Sequence, residues 1–186
     1  MRIISGRFKG KKIFLPNDKS TRPLKDLVKE SIFNVISHSN EIEIKINNSN
    51  ILDLFSGSGS FGLEAISRGA KIVTFVEDYQ DVLEILIKNI SKLDCQNQCQ
   101  VIRKNCFEYL NTIEKNSLKY DLIFLDPPFK EKNINSIIDK IIEKKIIKKN
   151  GIIVIHRHKK DNIDITNKIN IFDTRLYGIS KIIFAN

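Results

Sequence analysis

Five short apolar runs recur along the chain, each separated from the next by a stretch of helical periodicity, and this alternation restricts the fold more than any other feature. The runs are "NSNILDLF", "KIVTFVE", "QVIRK", "YDLIFLD" and "GIIVIHRH". Between them lie "SFGLEAISRG", "QDVLEILIKNISKL", "FEYLNTIEK" and "INSIIDKIIEKKII", with apolar residues returning every three or four positions. Strands alternating with helices in this way predict an α/β fold, a mostly parallel sheet covered on both faces. The tail "KINIFDTRLYGISKIIFAN" has no helical stretch and predicts two further strands joined at Tyr177-Gly178, which places an antiparallel strand near the C-terminal edge.

Ahead of this core, "RIISGRFKGKKIFLP" reads as a short β-hairpin turning at Gly6 and Gly10. "LKDLVKESIFNVISH" reads as a helix with Leu24, Leu27, Val28, Ile32, Val35 and Ile36 on its apolar stripe and Pro23 at its first turn. Gly69 closes the helix after the first core strand. A length of 186 residues suits one domain, with residues 1–22 a basic arm and 23–186 the helix plus the α/β core. No apolar run reaches the roughly 18 residues of a membrane span, and the start "MRIISGRFKGKK" has no signal-type apolar stretch, so a cytoplasmic protein is expected. Cys95, Cys99 and Cys106 are odd in number and read as ordinary thiols.

Ligands of such sheets bind at the carboxyl ends of the strands where the strand order reverses. Two unusual segments fall there. "DLFSGSGSFG", Asp53 to Gly62, carries Gly57, Gly59 and Gly62 on the G-x-G-x-x-G spacing, a pattern that by itself admits a pyrophosphate or a ligand without phosphates. "LDPPF" ends the fourth run with two prolines that donate no backbone hydrogen bond and force the chain out of the sheet beside a carboxylate and an aromatic ring. His156 and His158 share a strand face but have no third ligand at suitable spacing, so no metal site is expected.

The formal charge of +9 and pI near 9.4 suit a polyphosphate partner, although a coding bias toward Lys, Ile and Asn could raise the charge by itself. Position is more informative than the total. Arg2, Arg7, Lys9, Lys11 and Lys12 crowd the N-terminus with no acidic residue among them, and Arg22 follows.

"DLFSGSGSFGLEA", "VED" and "DPPF" together resemble the S-adenosylmethionine-dependent amino-methyltransferases. With "RIISGRFKGKKI", "RPLKDLVKESIFN" and the closing "YGISKIIF", the chain resembles over nearly its whole length the bacterial 16S ribosomal RNA guanine-N2 methyltransferase family of RsmD type. The resemblance implies a doubly wound, Rossmann-like class I methyltransferase sheet of seven strands and an S-adenosyl-L-methionine cofactor. Gly57 and Gly59 would then let the backbone approach the methionine end and sugar, so that a side chain at Gly59 should obstruct the cofactor. Asp53 would help bind the ammonium, Glu77 the ribose hydroxyls and Asn105 the adenine amino group, with Phe55 and Asp78 adjoining. Asp126 and the Pro127 carbonyl would accept the hydrogens of a guanine N2 amine while Phe129 stacks on the base. Arg2, Arg7, Lys9, Lys11, Lys12 and Arg22 would grip RNA phosphates, the partner being 16S rRNA, free or in an assembling small subunit, and the enzyme a monomer. The chain departs from the family at Ser5, where a smaller residue is usual, and at "HRHKK", where an acidic residue is. Adenine-N6 methylation of RNA or DNA, protein glutamine methylation, and noncatalytic RNA binding on the same fold are the alternatives.

Overall fold

The computed structural model describes residues 1–16, 24–117, 119–161, 165 and 167–186. Its elements follow the sequence alternation: α1 (Asp26–His38), β1 (Asn50–Leu54), α2 (Ser60–Ser67), β2 (Ile72–Val76), α3 (Gln80–Leu93), β3 (Cys99–Ile102), α4 (Cys106–Thr112), β4 (Tyr120–Leu125), α5 (Ile134–Lys144), β5 (Ile147–His158), β6 (Ile171–Tyr177) and β7 (Ser180–Ala185). The seven strands lie in the order β3-β2-β1-β4-β5-β7-β6. Pairings from β3 to β5 are parallel, and β7 runs antiparallel to both its neighbours.

Side chains of successive strand residues point to opposite faces, and this divides the core in two. Ile51, Phe75, Leu122, Phe124 and Val154 pack with α1, α2 and α3 on one face. Leu52, Leu54, Val76, Ile123, Leu125 and Ile155 pack with α4 and α5 on the other. On α5 the buried residues are Ile134, Ile137, Ile138 and Ile141, a three-to-four spacing that makes one continuous stripe. Each such isoleucine stabilises the fold by at most about 1.5–3 kcal/mol through removal from water; an aspartate at Ile138 would break the stripe. The α5 helix stops at Lys144 because Lys145 takes a left-handed φ of 51°; Ile146 stays buried in the same core layer, and Ile147 opens β5.

Two sequence expectations change, while the expected N-terminal hairpin forms. Arg2 bridges Lys12, the amide of Ile3 donates to Lys11 O (2.9 Å), that of Gly10 to Ile3 O (2.9 Å) and that of Ile13 to Met1 O (3.2 Å), and the segment also docks on α2. The amides of Ile4 and Ser5 donate to Glu64 (2.7 and 3.0 Å), and that of Phe8 to Ser67 Oγ (2.9 Å). In α1, Leu27 is 68% exposed, while Phe33 and the stem of Lys29 are buried beside Val28, Ile32 and Ile36. The stripe is rotated by the docked arm, whose Ile3, Phe8 and Ile13 join the same core face. The α4 helix ends at Thr112, earlier than the periodicity of "FEYLNTIEK" suggests, as Ile113 turns to extended backbone and buries its side chain. Pro23 and Arg22 lie outside the described residues.

Candidate active site

The switch in strand order falls between β1 and β4, whose last residues, Leu54 and Leu125, are paired in register. The glycine loop leaves β1 at this point and Asp126-Pro127-Pro128-Phe129 leaves β4 beside it. A cavity of about 710 Å³ opens between them, lined by Asp53, Phe55, Gly57, Glu77, Asp126 and Phe129 among others. A separate cavity of about 500 Å³, around Ser5, Ile44, Asn47 and Arg68, shares none of these residues.

The loop after β1 is held by side chains from β1, from α3 and from the end of β2. Phe55 holds a left-handed φ of 63°, a strained conformation for an aromatic residue and one that is concentrated at functional loops. Gly57 donates its amide to Glu77 Oε2 at 2.8 Å. Gly62 donates to Asp53 Oδ2 at 3.0 Å, and buried Asn89 donates to the Ser58 carbonyl at 2.9 Å. The three glycines do different work. A Cβ at Gly62 would stand 2.3 Å from the Phe75 ring, so this glycine permits α2 to lie against β2. A Cβ at Gly59 would stand 2.5 Å from Leu86 Cδ1, which corrects the expectation that a side chain there meets a ligand: it would meet α3. At Gly57 a Cβ would have nothing within 4 Å, and the residue lines the cavity.

Charge decides what the cavity can hold. Among the described residues lining it, Asp53, Glu77, Asp78, Asp126 and Glu131 are acidic and Lys130 is basic. A pyrophosphate there would face carboxylates, and the Gly57 amide that could have bound a phosphate is already given to Glu77. A ligand carrying positive charge fits this donor set. Burial pushes the Asp53 carboxyl well above its ordinary value against the Gly62 hydrogen bond, and burial likewise raises Glu77. A cation beside them would offset that cost. Glu77 also accepts from the amides of Asp78 and Tyr79 through Oε1 (3.1 and 3.0 Å). With about four lone-pair sites on a carboxylate, it can take one further hydroxyl without releasing an amide. Asn105 caps α4, its oxygen accepting from Phe107 N at 2.9 Å, while its amide donates to Asp78 Oδ2 at 3.0 Å. Cys106, next in the chain, is pushed up to about 12, chiefly by burial, and is a poor nucleophile.

On the opposite wall, two residues that the sequence pattern leaves without a role touch the Asp-Pro-Pro-Phe turn. His156 Nδ1 is 2.8 Å from Asp126 Oδ1, and its Nε2 is 2.8 Å from Ser180 Oγ. Arg157, 1% exposed, donates to the carbonyls of Pro128 (3.1 Å), Phe129 (3.3 Å) and Glu131 (2.8 Å) and to Asp161 (2.7 Å). The signal in the sequence was a histidine and an arginine closing an otherwise apolar buried strand, where charged residues are rare without partners. Phe129 meets the rings of His156 and His158 in T-shaped contacts, with centroids 6.1 and 5.1 Å apart.

The basic arm lies on α2. Arg2, Arg7, Lys9, Lys11 and Lys12 are all exposed; Arg7 bonds Gln98 and, with Lys11, sits over the Phe8 ring. Arg2 is 3.9 Å from Asp26 at a largely solvated pair of little energetic weight. Arg22 is outside the described residues.

The family described as Conserved hypothetical protein 95 matches residues 1–186. The chain is 35% identical over 174 residues to a protein of Buchnera aphidicola named ribosomal RNA small subunit methyltransferase D, covering 94% of this chain and 86% of that protein. A protein of the same name from Haemophilus influenzae is 37% identical over 160 residues, covering 86% and 79%. Among solved structures, a protein from Escherichia coli described as a candidate methyltransferase superposes with a TM-score of 0.85 at 25% identity, over 100% of this chain and 96% of that one. A candidate methylase from Haemophilus influenzae superposes with a TM-score of 0.78 at 31% identity, over 99% and 96%.

Proposed function

The chain belongs to the Conserved hypothetical protein 95 family, and from the names of its relatives together with the site we propose that it methylates ribosomal RNA of the small subunit, at the exocyclic N2 amine of a guanine, using S-adenosyl-L-methionine. The observation that carries the cofactor is the acidic lining of the strand-end cavity, which suits a sulfonium and an ammonium and opposes a pyrophosphate. Asp53 would hold the ammonium end, Gly57 the close approach of the methionine tail, Glu77 a ribose hydroxyl, and Asn105 with Phe55 and Asp78 the adenosine end. When bound, the cofactor supplies an electrophilic methyl group.

The remaining steps belong to the chain. A guanine N2 lone pair is delocalised into the ring, so the amine must move toward tetrahedral geometry before it can attack. Two acceptors on its hydrogens would favour that geometry: the carboxylate of Asp126 and the carbonyl of Pro127, from two residues that line the cavity. They orient the lone pair and stabilise the positive charge that develops on nitrogen, an effect worth about 10²–10³ in rate for one such group. Phe129 offers an aromatic face to a base that has lost its stacking neighbours, returning about 1–3 kcal/mol. The acidic cavity admits the uncharged base and keeps phosphates out, while Arg2, Arg7, Lys9, Lys11 and Lys12 on the exposed arm hold them outside, with Arg22 as a further candidate. The test is transfer of a labelled methyl group to small-subunit RNA lacking its methylations, with DNA and protein as controls. Label in the RNA alone supports the proposal; label in the protein or DNA controls instead would overturn it.

A further inference from the structure

Resting on the reading of Asp126 as the acceptor for the target amine, we infer that His156 is a positioning residue for that carboxylate, held in turn by Ser180. The three side chains form a buried line. Ser180 Oγ is 2.8 Å from His156 Nε2, and His156 Nδ1 is 2.8 Å from Asp126 Oδ1. A carboxylate oxygen accepts and does not donate, so Nδ1 carries the proton. Nε2 and Ser180 Oγ share the second hydrogen bond, and the two bonds together fix the ring plane.

The order of groups is that of a hydrolase triad, but its orientation is reversed. Ser180 is 4% exposed on β7 and His156 2% exposed on β5, so no substrate reaches the serine. The carboxylate is the end at the cavity. The line therefore works on Asp126: with Oδ1 committed to His156, the carboxylate cannot rotate freely, and Oδ2 is the oxygen available to an amine. Asp126 needs such support because Pro127 and Pro128 follow it and give no backbone hydrogen bond. Its own amide reaches Leu54 O only at 3.5 Å. The neighbouring Arg157 faces the other side of β5 and gathers the carbonyls of Pro128, Phe129 and Glu131. The Pro127 carbonyl is not among the groups that Arg157 binds.

The test compares His156→Leu, His156→Asn, Ser180→Ala and Asp126→Ala in steady-state methyl transfer, with S-adenosylhomocysteine affinity by calorimetry and thermal melts as controls for folding. His156→Leu should lower kcat by about tenfold to a hundredfold, the usual cost of a misplaced reacting group, with KM for the cofactor unchanged. His156→Asn places an amide N–H where Nδ1 was and should recover most of that loss. Ser180→Ala should fall between them. A purely packing role predicts the opposite ranking, since leucine fills the buried site better than asparagine. If Asp126→Ala is inactive while His156→Leu turns over like wild type, or if His156→Asn is no better than His156→Leu, the positioning role is wrong and the acceptor role of Asp126 survives. If Asp126→Ala itself is active, both fall. Should His156→Leu not fold, the Asn and Ala variants decide the question by the same kcat ranking against wild type.

Discussion

Replacing Gly57 and Gly59 separately by alanine should divide cofactor binding from folding, because their missing Cβ atoms point in different directions. At Gly59 the new atom would lie 2.5 Å from Leu86 Cδ1 and 3.2 Å from Leu63 Cδ1, on a backbone with φ of +84°. A left-handed conformation costs a side-chain-bearing residue about 1–2 kcal/mol, and overpacking a core typically adds about 1–3 kcal/mol. Leu86 can yield by turning about its Cβ–Cγ bond, so the sum falls at about 2–4 kcal/mol, or roughly 4–16 °C in Tm for a chain of this size. At Gly57, φ is +55° and the Cβ meets nothing within 4 Å, so only the conformational cost of about 1–2 kcal/mol remains. The Gly57 alanine, however, stands at the cavity wall and should cost at least about tenfold in cofactor affinity, equivalent to about 1.4 kcal/mol. Differential scanning calorimetry and titration with S-adenosylhomocysteine measure the two effects. Gly57→Ala binding as wild type would show that the loop does not cradle the cofactor. Gly59→Ala melting as wild type would refute the packing geometry between this loop and α3.

Asp126→Ala should lose about 10²–10³ in kcat, the range for removing one preorganised partner of a developing charge, while calorimetric affinity for the cofactor stays within a few-fold; near-normal turnover would remove Asp126 from the chemistry. Changing Arg7, Lys9, Lys11 and Lys12 together to alanine should weaken RNA binding and flatten log Kd against log salt by about 0.7 for each phosphate no longer neutralised, an unaltered slope placing the RNA elsewhere. Asp53→Asn should raise stability near neutral pH while reducing cofactor affinity. Burial raises the folded-state value of Asp53 above its ordinary 3.8, so the stability owed to the neutral acid is full below that value and is lost as pH rises through the folded one. Melting curves from pH 4 to 8 should therefore diverge upward for the asparagine variant; parallel curves would mean that Asp53 carries no such cost.

The succession of strands and helices and the layer structure were legible because each core element carries its own period. The stretch "QDVLEILIKNISKL" coincides with α3, Gln80–Leu93, and the consecutive apolar residues of β1, β4 and β5 announced cover on both faces. Asp53, Asp126 and Phe129 could be placed at one cavity because the switch-point rule brings the ends of β1 and β4 together whatever lies between them in sequence, and the family resemblance added Glu77. His156 and Arg157 were not legible. They stand about thirty residues beyond Asp126, and only the register of β4 on β5, Leu125 beside Ile155, carries them to the turn. The docking of the arm was hidden for the same reason. Glu64 serves backbone amides about sixty residues away, and Lys29 reaches Glu64, at 3.7 Å, from a helix that periodicity alone oriented with Leu27 inward. No local pattern encodes either partner. The direction of the Gly59 Cβ likewise depends on where α3 packs, which the spacing of glycines does not specify.

One chemical outcome is decisive for the proposed activity, the identity of the atom methylated. Small-subunit RNA prepared without its methylations, presented both free and in small subunits, incubated with the protein and S-adenosyl-L-methionine and digested to nucleosides, can be read by mass spectrometry against authentic methylnucleosides. N2-methylguanosine, absent when Asp126→Ala replaces the wild type, is the predicted product. N6-methyladenosine, or no methylated nucleoside at all from folded, cofactor-binding protein, would contradict it.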